Sequence, residues 1–197
     1  MHDFDSLHFE RELAGGVALY SALGAIPTHH RKRYETRDVS LLKRVYVHHS
    51  GAFGPAGLRG AQASARYCVH ERGWPGAAYH FWIPAKKMRD ELGRLCVLRL
   101  NLDETRCYHT GGDANGHGVG VVLQGNTTAA TLTPSHVECL EALLPWLRAR
   151  HGLVDEWLSW HSEASRYGGN QKPSCPGKHA QEWLTAYRAL AQARGVA

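Results

Sequence analysis

The stretch RVYVHH, residues 44–49, decides how this chain folds. Its β-branched and aromatic residues favour a buried strand, and Gly51 and Gly54 close that strand. Side chains alternate along a strand, so His48 and His49 point to opposite faces of the sheet. One of them can reach a cleft while the other packs behind the sheet, and the spacing alone does not distinguish them.

Strand and helix patterns alternate along the rest of the chain. The expected strands cover residues 78–83, 94–100 and 119–123, and the expected helices cover residues 58–72 and 178–194 and a segment that opens at Thr133-Pro134. Pro145 should kink this third helix or end it early, because proline lacks a backbone N–H. The alternation predicts an α/β fold, a single domain with a central mixed β-sheet flanked by α-helices.

Residues 1–43 differ in pattern from the rest of the chain, and we expect them to form an N-terminal arm packed on a main domain at residues 44–197. A helix is expected over residues 10–23, although three glycines in and beside it weaken it. The short cationic run at residues 29–33 is more typical of a solvated face than of a binding site.

Composition and charge narrow the class of protein. Apolar residues make up 43% of the 197, as in an ordinary globular protein, and no apolar run approaches the roughly 18 residues that span a membrane. We therefore expect no membrane insertion. We also expect the protein to be a monomer. The formal charge of +5 favours polyanionic partners. The Lys and Arg residues are scattered and do not interleave with aromatic residues as they would in a nucleic-acid groove. We therefore expect that the protein does not bind nucleic acid, and we favour the anionic bacterial envelope as its partner.

The cysteines do not form a disulfide framework, because their number is odd and their spacing irregular. The chain has Cys68, Cys96, Cys107, Cys139 and Cys175. The first four are interpreted as buried thiols of a protein made in a reducing compartment. The acidic residues before the apolar segment 14–26 are unlike a cationic secretory leader. We therefore expect synthesis in the cytoplasm, with any action outside it following release by other means.

His161 and Cys175 are candidate ligands of one metal ion. Between them lies Gly168-Gly169-Asn170, which permits the sharp turns needed to fold the loop back. Neutral imidazole and thiolate are borderline-soft donors that suit zinc, and three protein ligands with a fourth position open are typical of a catalytic zinc site. A histidine from residues 44–49 would complete the set.

Five separated motifs occur along the chain in one order. They are Val47-His48-His49-Ser50; Arg72-Gly73-Trp74 with Ala78-Tyr79-His80-Phe81; His109-Thr110-Gly111-Gly112 with Asn115; Val119-Gly120-Val121; and Trp160-His161 with Ser174-Cys175-Pro176-Gly177. This pattern resembles that of zinc-dependent type-2 N-acetylmuramoyl-L-alanine amidases and peptidoglycan recognition proteins, and looks most like the phage lysozyme-amidases. The resemblance covers residues 44–190 and leaves residues 1–43 outside it.

The resemblance implies a zinc ion held by His48, His161 and Cys175 at one end of an open groove. The implied reaction is hydrolysis of the amide between N-acetylmuramic acid and L-alanine in peptidoglycan. Zinc would generate a nucleophile from water at neutral pH and polarise the amide carbonyl. The resemblance thus implies a cell-wall hydrolase of the endolysin kind, with peptidoglycan as its substrate.

The resemblance also implies roles for two further residues. Tyr79 matches the tyrosine of the family's Gly-Tyr-His-Phe strand and would position the water or shield the tetrahedral intermediate. Lys172 is the candidate electrostatic helper, but the sequence departs from the family here. The phage enzymes carry lysine two positions before the cysteine, where this chain has Pro173, and the loop is longer. Arg166 or Gln171 could substitute for Lys172.

Four residues would flank the groove. Trp74 fits a groove wall, although it could also plug the core. His80 and His109 would lie beside the substrate, and Asn115 would brace the loop that begins at His109. Val122 stands where some bacterial amidases place a glutamate as proton shuttle, so the chain looks like the tyrosine/lysine version of the site.

Two other classes of function stay open at this stage. A non-catalytic peptidoglycan-binding module of this family typically lacks one zinc ligand, most often the cysteine, whereas this chain keeps all three candidates. A structural zinc domain unrelated to peptidoglycan would surround the ion with four protein ligands and leave no open position.

Overall fold

The strand predicted at the start of the main domain forms with the predicted bounds and joins a seven-stranded sheet. The structure is a computed structural model that describes residues 4–193. The strands are β1 (His8–Leu13), β2 (Val17–Ser21), β3 (Arg44–His49), β4 (Phe81–Ile83), β5 (Cys96–Arg99), β6 (Gly118–Leu123) and β7 (Leu158–Trp160). Their spatial order is β1-β2-β5-β4-β6-β3-β7.

The sheet is mixed, as predicted. β3 lies between β6 and β7 and runs parallel to both, and β4 also runs parallel to β6. β5 is antiparallel to β4 and parallel to β2, and β1 closes the far edge antiparallel to β2. The carboxyl ends of β3, β6 and β7 therefore meet at one edge of the sheet, where ligand sites of open α/β sheets commonly lie.

Four α-helices connect and cover the strands. They are α1 (Gly57–His70), α2 (Ala114–His117), α3 (Pro134–Arg150) and α4 (Lys178–Ala193). Thr133 caps α3, with its hydroxyl accepting from the backbone N–H of His136 at 3.2 Å. The helix continues past Pro145 to its last residue, so the early end considered from the sequence does not occur. None of the described helices is long and apolar enough to cross a membrane.

The helix expected over residues 10–23 was a wrong prediction. The chain there forms β1 and β2, joined by a turn in which Gly15 and Gly16 have φ of 68° and 71°. The first three residues of β2 are buried, because β2 pairs with β5 far along the sequence. A strand buried on both faces has no alternating pattern, so local periodicity mistook it for a helix. The described part of residues 1–43 thus contributes two strands to the same sheet.

Two apolar cores lie on opposite faces of the sheet. One core joins alternate strand residues to Leu140, Leu143 and Leu147 of α3 and to Leu184 of α4. The other joins the intervening strand residues to the buried side of α1. All five cysteines are buried and free, as predicted for four of them. The predicted α/β fold with helices on the sheet is confirmed.

Leu143→Ala should destabilise the chain by about 2–5 kcal/mol, because its side chain is fully buried and its removal leaves a cavity under the sheet. Leu92→Ala is the matched control: Leu92 is 76% exposed and should change the free energy of unfolding by no more than about 0.5 kcal/mol. Urea denaturation followed by circular dichroism measures both. Similar losses in the two variants would show that the core is wrongly described.

Candidate metal centre

Strand register brings the first two candidate ligands together. In the parallel pairing of β3 with β7, Val47 lies opposite Trp160, so the next residues of the two strands, His48 and His161, emerge side by side. Their Nδ1 atoms are 3.2 Å apart. His48 is fully buried, whereas His161 is partly exposed toward the cleft. The pair therefore forms at the end of the sheet without help from a flexible loop.

Cys175 reaches the same point from the loop before α4. The backbone N–H of Ser162 donates to the carbonyl of Cys175 at 3.0 Å, which fixes this loop beside the first turn after β7. The Cys175 Sγ atom lies 3.8 Å from His48 Nδ1. The candidate ligand atoms of His48, His161 and Cys175 all lie within 4.8 Å of one another. These three side chains could hold a metal ion.

The structure distinguishes His48 from His49 as the ligand. His49 turns away from the cluster and places its Nδ1 3.1 Å from the hydroxyl of Thr127. Thr127 in turn donates its hydroxyl to the carbonyl of Pro176, next to Cys175. His49 therefore braces the loop that carries the cysteine instead of joining the two imidazoles.

A chain of hydrogen bonds fixes the tautomer of His48. His109 Nε2 lies 3.0 Å from the carbonyl of Gly118, and since a carbonyl only accepts, that nitrogen must carry the proton. The neutral His109 ring then accepts at Nδ1 from His48 Nε2, 3.2 Å away. This assignment rests on the hydrogen-bond network. It leaves the lone pair of His48 Nδ1 pointing at His161 and Cys175, as in metal sites whose histidines are oriented by an outer partner.

Gly120 makes room for this arrangement. A Cβ atom on Gly120 would lie 2.7 Å from Cγ of His109, so only glycine lets the ring lie flat on β6.

Burial sets the charge of the three donors. Burial, with the neighbouring His161 and His109, holds the pKa of His48 well below its usual range. Burial and then Lys172 lower the pKa of His161 to about 4, so both imidazoles are neutral at pH 7 with free lone pairs. Burial raises the pKa of the Cys175 thiol to about 11. A metal ion must therefore displace the thiol proton when it binds.

The spacing of the donors matches a tetrahedral ion. Metal–nitrogen bonds of about 2.0–2.1 Å and a metal–sulfur bond of about 2.3 Å place tetrahedral ligands about 3.3 Å (nitrogen to nitrogen) and about 3.6 Å (nitrogen to sulfur) apart. The observed separations are 3.2 Å between the Nδ1 atoms and 3.8 Å from His48 Nδ1 to Cys175 Sγ. Two imidazoles and a thiolate suit a borderline-soft divalent cation.

A cavity of about 1090 Å³ opens beside the cluster. His161 and Cys175 form part of its lining, together with Tyr79, Lys172 and Trp74. None of the lining residues, which all belong to the described range 4–193, is an aspartate or a glutamate. The charged side chains that face the cavity are thus cationic, Arg72 at the wall and Lys172 near the ligands.

Tyr79 lies beside the candidate ligands and lines the cavity. Its ring centroid lies 5.1 Å from that of His48, and the side chain is partly exposed to the cavity. Burial and then the Cys175 thiol raise the pKa of the Tyr79 hydroxyl well above its usual range. The hydroxyl is therefore protonated at neutral pH and able to donate a hydrogen bond into the cavity.

Lys172 also lies at the cavity, although Pro173 occupies the position at which the family pattern has a lysine. The backbone carbonyl of Lys172 accepts from the N–H of Cys175 at 3.0 Å, so a tight turn joins the lysine to the cysteine. Its charge reaches the site, because it contributes to the lowered pKa values of His48, His49 and His161.

Of the predicted groove residues, Asn115 lines the cavity, whereas His80 lies behind it. His80 is fully buried, does not line the cavity, and accepts at Nδ1 from the backbone N–H of Gly120 at 2.9 Å. The structure does not bring His80 to the groove as the resemblance implied. The Oδ1 atom of Asn115 accepts from the N–H groups of Thr110 and Gly111 at 2.9 and 3.1 Å, so its oxygen is used to brace that loop.

Sequence reasoning missed several residues of the cavity wall. Tyr108 packs edge-on against Trp74, with ring centroids 5.8 Å apart, and both line the cavity. Tyr34 packs edge-on against Tyr108 from behind, at 4.9 Å. Tyr108 directly precedes the predicted His109, so its position in the motif could have indicated it. Tyr34 belongs to residues 1–43 and no local pattern pointed to it.

The comparisons with known proteins agree with this geometry. The family model of N-acetylmuramoyl-L-alanine amidases matches residues 37–178. The chain belongs to this family. The resemblance recognised in the five motifs is thereby confirmed. No curated protein matches the sequence of this amidase-family chain.

Solved structures of the family share the fold at low identity. Drosophila peptidoglycan recognition protein SD superposes with a TM-score of 0.65 at 15% identity, covering 82% of this chain and 89% of that one. The endolysin amidase LysCS from Clostridium intestinale gives 0.56 at 20%, covering 83% and 97%. A mutant of Drosophila PGRP-LB in complex with tracheal cytotoxin gives 0.59 at 17%, covering 82% and 89%. These likenesses show that the fold is that of the family.

Cys175→Ser should weaken Zn²⁺ binding strongly, because it removes the only sulfur donor of the cluster within residues 4–193. Cys68→Ala is the control, since Cys68 is also a buried thiol that lines the cavity but lies outside the cluster. Calorimetric titration of metal-free protein with Zn²⁺ measures both affinities. Equal affinities in the two variants would contradict the assignment of this metal centre.

Proposed function

We propose that the chain is a zinc-dependent N-acetylmuramoyl-L-alanine amidase that hydrolyses the amide between N-acetylmuramic acid and L-alanine in peptidoglycan. The observation that carries the proposal is the convergence of His48, His161 and Cys175 at the inner end of an open cavity that also contains Tyr79 and Lys172. A structural metal site would instead be closed by a fourth protein ligand. Among residues 4–193, the cluster contains three.

Zinc is the ion that best fits this donor set. His48 and His161 would each donate Nδ1, and Cys175 would donate its thiolate. When bound, zinc supplies Lewis-acid polarisation of the amide carbonyl and of the attacking water. The chain itself supplies the rest: His109 holds the His48 ring in the required tautomer, and the cavity holds the ligand.

Tyr79 is proposed to stabilise the developing negative charge on the amide oxygen. Its hydroxyl stays protonated at neutral pH, so it can donate a hydrogen bond to an oxygen as charge builds up there. The ring lies against His48, which fixes the hydroxyl relative to the reacting bond. A donor that is already in place loses no free energy to reorientation during the reaction.

Lys172 is proposed to add a positive charge on the open side of the site. An ammonium group near the reacting carbonyl favours the anionic transition state over the neutral amide. Because the side chain is solvent-exposed, its contribution should depend on ionic strength more than that of Tyr79.

The cavity supports an anionic ligand of peptide character. Its charged walls are cationic, and aromatic side chains such as Trp74 and Tyr108 offer flat apolar surface. The structural neighbours include recognition proteins bound to tracheal cytotoxin, a monomeric diaminopimelic acid-type peptidoglycan. A fragment with free carboxylates would meet complementary charge in this cavity.

A non-catalytic recognition module is the second candidate function, because several structural neighbours are recognition proteins. The retention of all three donor atoms together with Tyr79 favours the enzyme. We further propose that the enzyme acts on the bacterial cell wall as a phage or prophage endolysin, reaching the wall after release from the cytoplasm. The likeness to the endolysin amidase from Clostridium intestinale supports this context.

Digestion of purified sacculi by the zinc-loaded protein should release intact stem peptides with free L-alanine amino groups and leave free lactyl carboxylates on the glycan. Tyr79→Phe should lower kcat about 100-fold while leaving the zinc content unchanged, because one oxyanion-type contact is lost. Tyr187→Phe on α4 is the control and should retain full activity. Mass spectrometry of the soluble products measures both.

Binding of sacculi without any product would refute the enzyme and favour the recognition module. Cleavage between sugars or within the stem peptide would refute the proposed bond. Full activity of Tyr79→Phe would be consistent with the proposed amidase activity but would refute the proposed role of this hydroxyl.

A further inference from the structure

Two loops meet on the open side of the metal centre. The first, which we name the His109 loop, covers residues 109–113, and the second, the Lys172 loop, covers residues 168–172. Two backbone hydrogen bonds join them: Asn170 N–H donates to the carbonyl of Thr110 at 2.7 Å, and Asp113 N–H donates to the carbonyl of Gly168 at 2.9 Å. The loops are therefore paired by their backbones.

Glycines make this junction unusually close. Gly111 and Gly112 have φ of 76° and 53°, and Gly168 has φ of 77°, a region that favours glycine. A Cβ atom on Gly111 would lie 2.6 Å from Cγ of Asn170, and one on Gly112 would collide with the carbonyl of Gly168. At Gly111 the space is taken by the side chain of Asn170, and at Gly112 it is taken by the backbone of the Lys172 loop.

The junction anchors Lys172 from the side opposite to the cysteine. On one side, the turn bond from Cys175 N–H holds the carbonyl of Lys172, and on the other, Asn170 is bonded to Thr110. Lys172 itself is exposed and has no ion-pair or hydrogen-bond partner for its ammonium group within residues 4–193. The backbone on both sides of Lys172 therefore sets the point at which its side chain enters the cavity lining.

The same junction holds the loop that begins at His109. Asn115 braces Thr110 and Gly111 from beneath, while the Lys172 loop covers them from outside. His109 is bonded to His48, so a single backbone junction connects the proposed electrostatic helper with the partner of a proposed metal ligand.

We propose that the junction of the His109 loop with the Lys172 loop is the positioning device that places the Lys172 ammonium group over the reacting carbonyl, with Gly112 and Asn170 as its positioning residues. This inference rests on the proposed function. It explains how the longer loop of this chain can deliver a lysine although Pro173 occupies the position that the family pattern gives to lysine.

The test compares two alanine variants at glycines of similar φ. Gly112→Ala introduces both backbone strain and the collision with Gly168, whereas Gly152→Ala, at φ of 56° after α3, introduces the strain with nothing within 4 Å of the new methyl group. Hydrogen exchange of the amides of Asp113 and Asn170, measured by mass spectrometry, should quicken in Gly112→Ala and stay unchanged in Gly152→Ala. This readout is independent of zinc and of activity.

The kinetic test is a double-mutant cycle with Lys172→Ala. Gly112→Ala should lower kcat about 10- to 100-fold with unchanged zinc content, since misplacement of a catalytic group by about 1 Å has effects of this size. In the Lys172→Ala background it should have little further effect, because both changes remove the same contribution. Asn170→Gly keeps the backbone bond to Thr110 but removes the side chain that packs against Gly111 and loosens the backbone, so it weakens the junction without introducing a collision and should give a smaller loss of the same kind.

Additive losses, an equal loss in Gly152→Ala, or full activity of Lys172→Ala would overturn the inference. If the unchanged protein hydrolyses no sacculi at all, the proposed function fails and the inference fails with it. Hydrolysis by the unchanged protein with unaltered hydrogen exchange in Gly112→Ala would overturn the inference alone.

Discussion

Parallel pairing of β3 with β7 is the interaction on which the metal centre depends. The register that sets Val47 opposite Trp160 makes His48 and His161 neighbours, although 112 residues of chain separate Val47 from Trp160 in sequence. A slip of one residue would turn one imidazole to the other face of the sheet. One face of the ladder packs on the core that includes α3 and α4, and the other carries the buried ring of Tyr46, so water does not compete for its hydrogen bonds. The strand pairing that stabilises this edge of the sheet thus also sets the geometry of the site.

The loops add what the sheet cannot supply. Cys175, the third donor, comes from a loop that Ser162 and Thr127 hold in place through backbone carbonyls. His109 sits on Gly120 and orients the buried imidazole of His48. Each contact fixes a donor from behind, and His161 and Cys175 stay in the lining of the cavity. This arrangement suits chemistry on a ligand better than a purely structural ion.

The sequence was informative where the signal is local. In residues 44–49 three β-forming residues are followed by two histidines, with glycine shortly after them, and the structure has that strand with the same ends. The order of the motifs identified the family, and the structure brings His48, His161 and Cys175 together as the resemblance implied. Side-chain chemistry and spacing were sufficient because the three candidate ligands lie at the end of a strand, directly after a strand, and in the loop before a helix.

Non-local pairing was beyond sequence reasoning. β2 was mistaken for a helix because its burial comes from β5, far along the chain. His80 was expected in the groove, but its imidazole is enclosed, and burial together with the charge of Arg37 lowers its pKa to about 3. Nor did any pattern indicate that Tyr34 would support the cavity wall through Tyr108. These contacts arise from how distant segments pack, which no window of sequence contains.

X-ray absorption spectroscopy at the zinc edge of the loaded protein tests the central claim most directly. The account predicts one sulfur neighbour at about 2.3 Å and two imidazole nitrogens at about 2.0–2.1 Å, with one further light atom from solvent. A shell with no sulfur, or one filled by four protein donors, would contradict it.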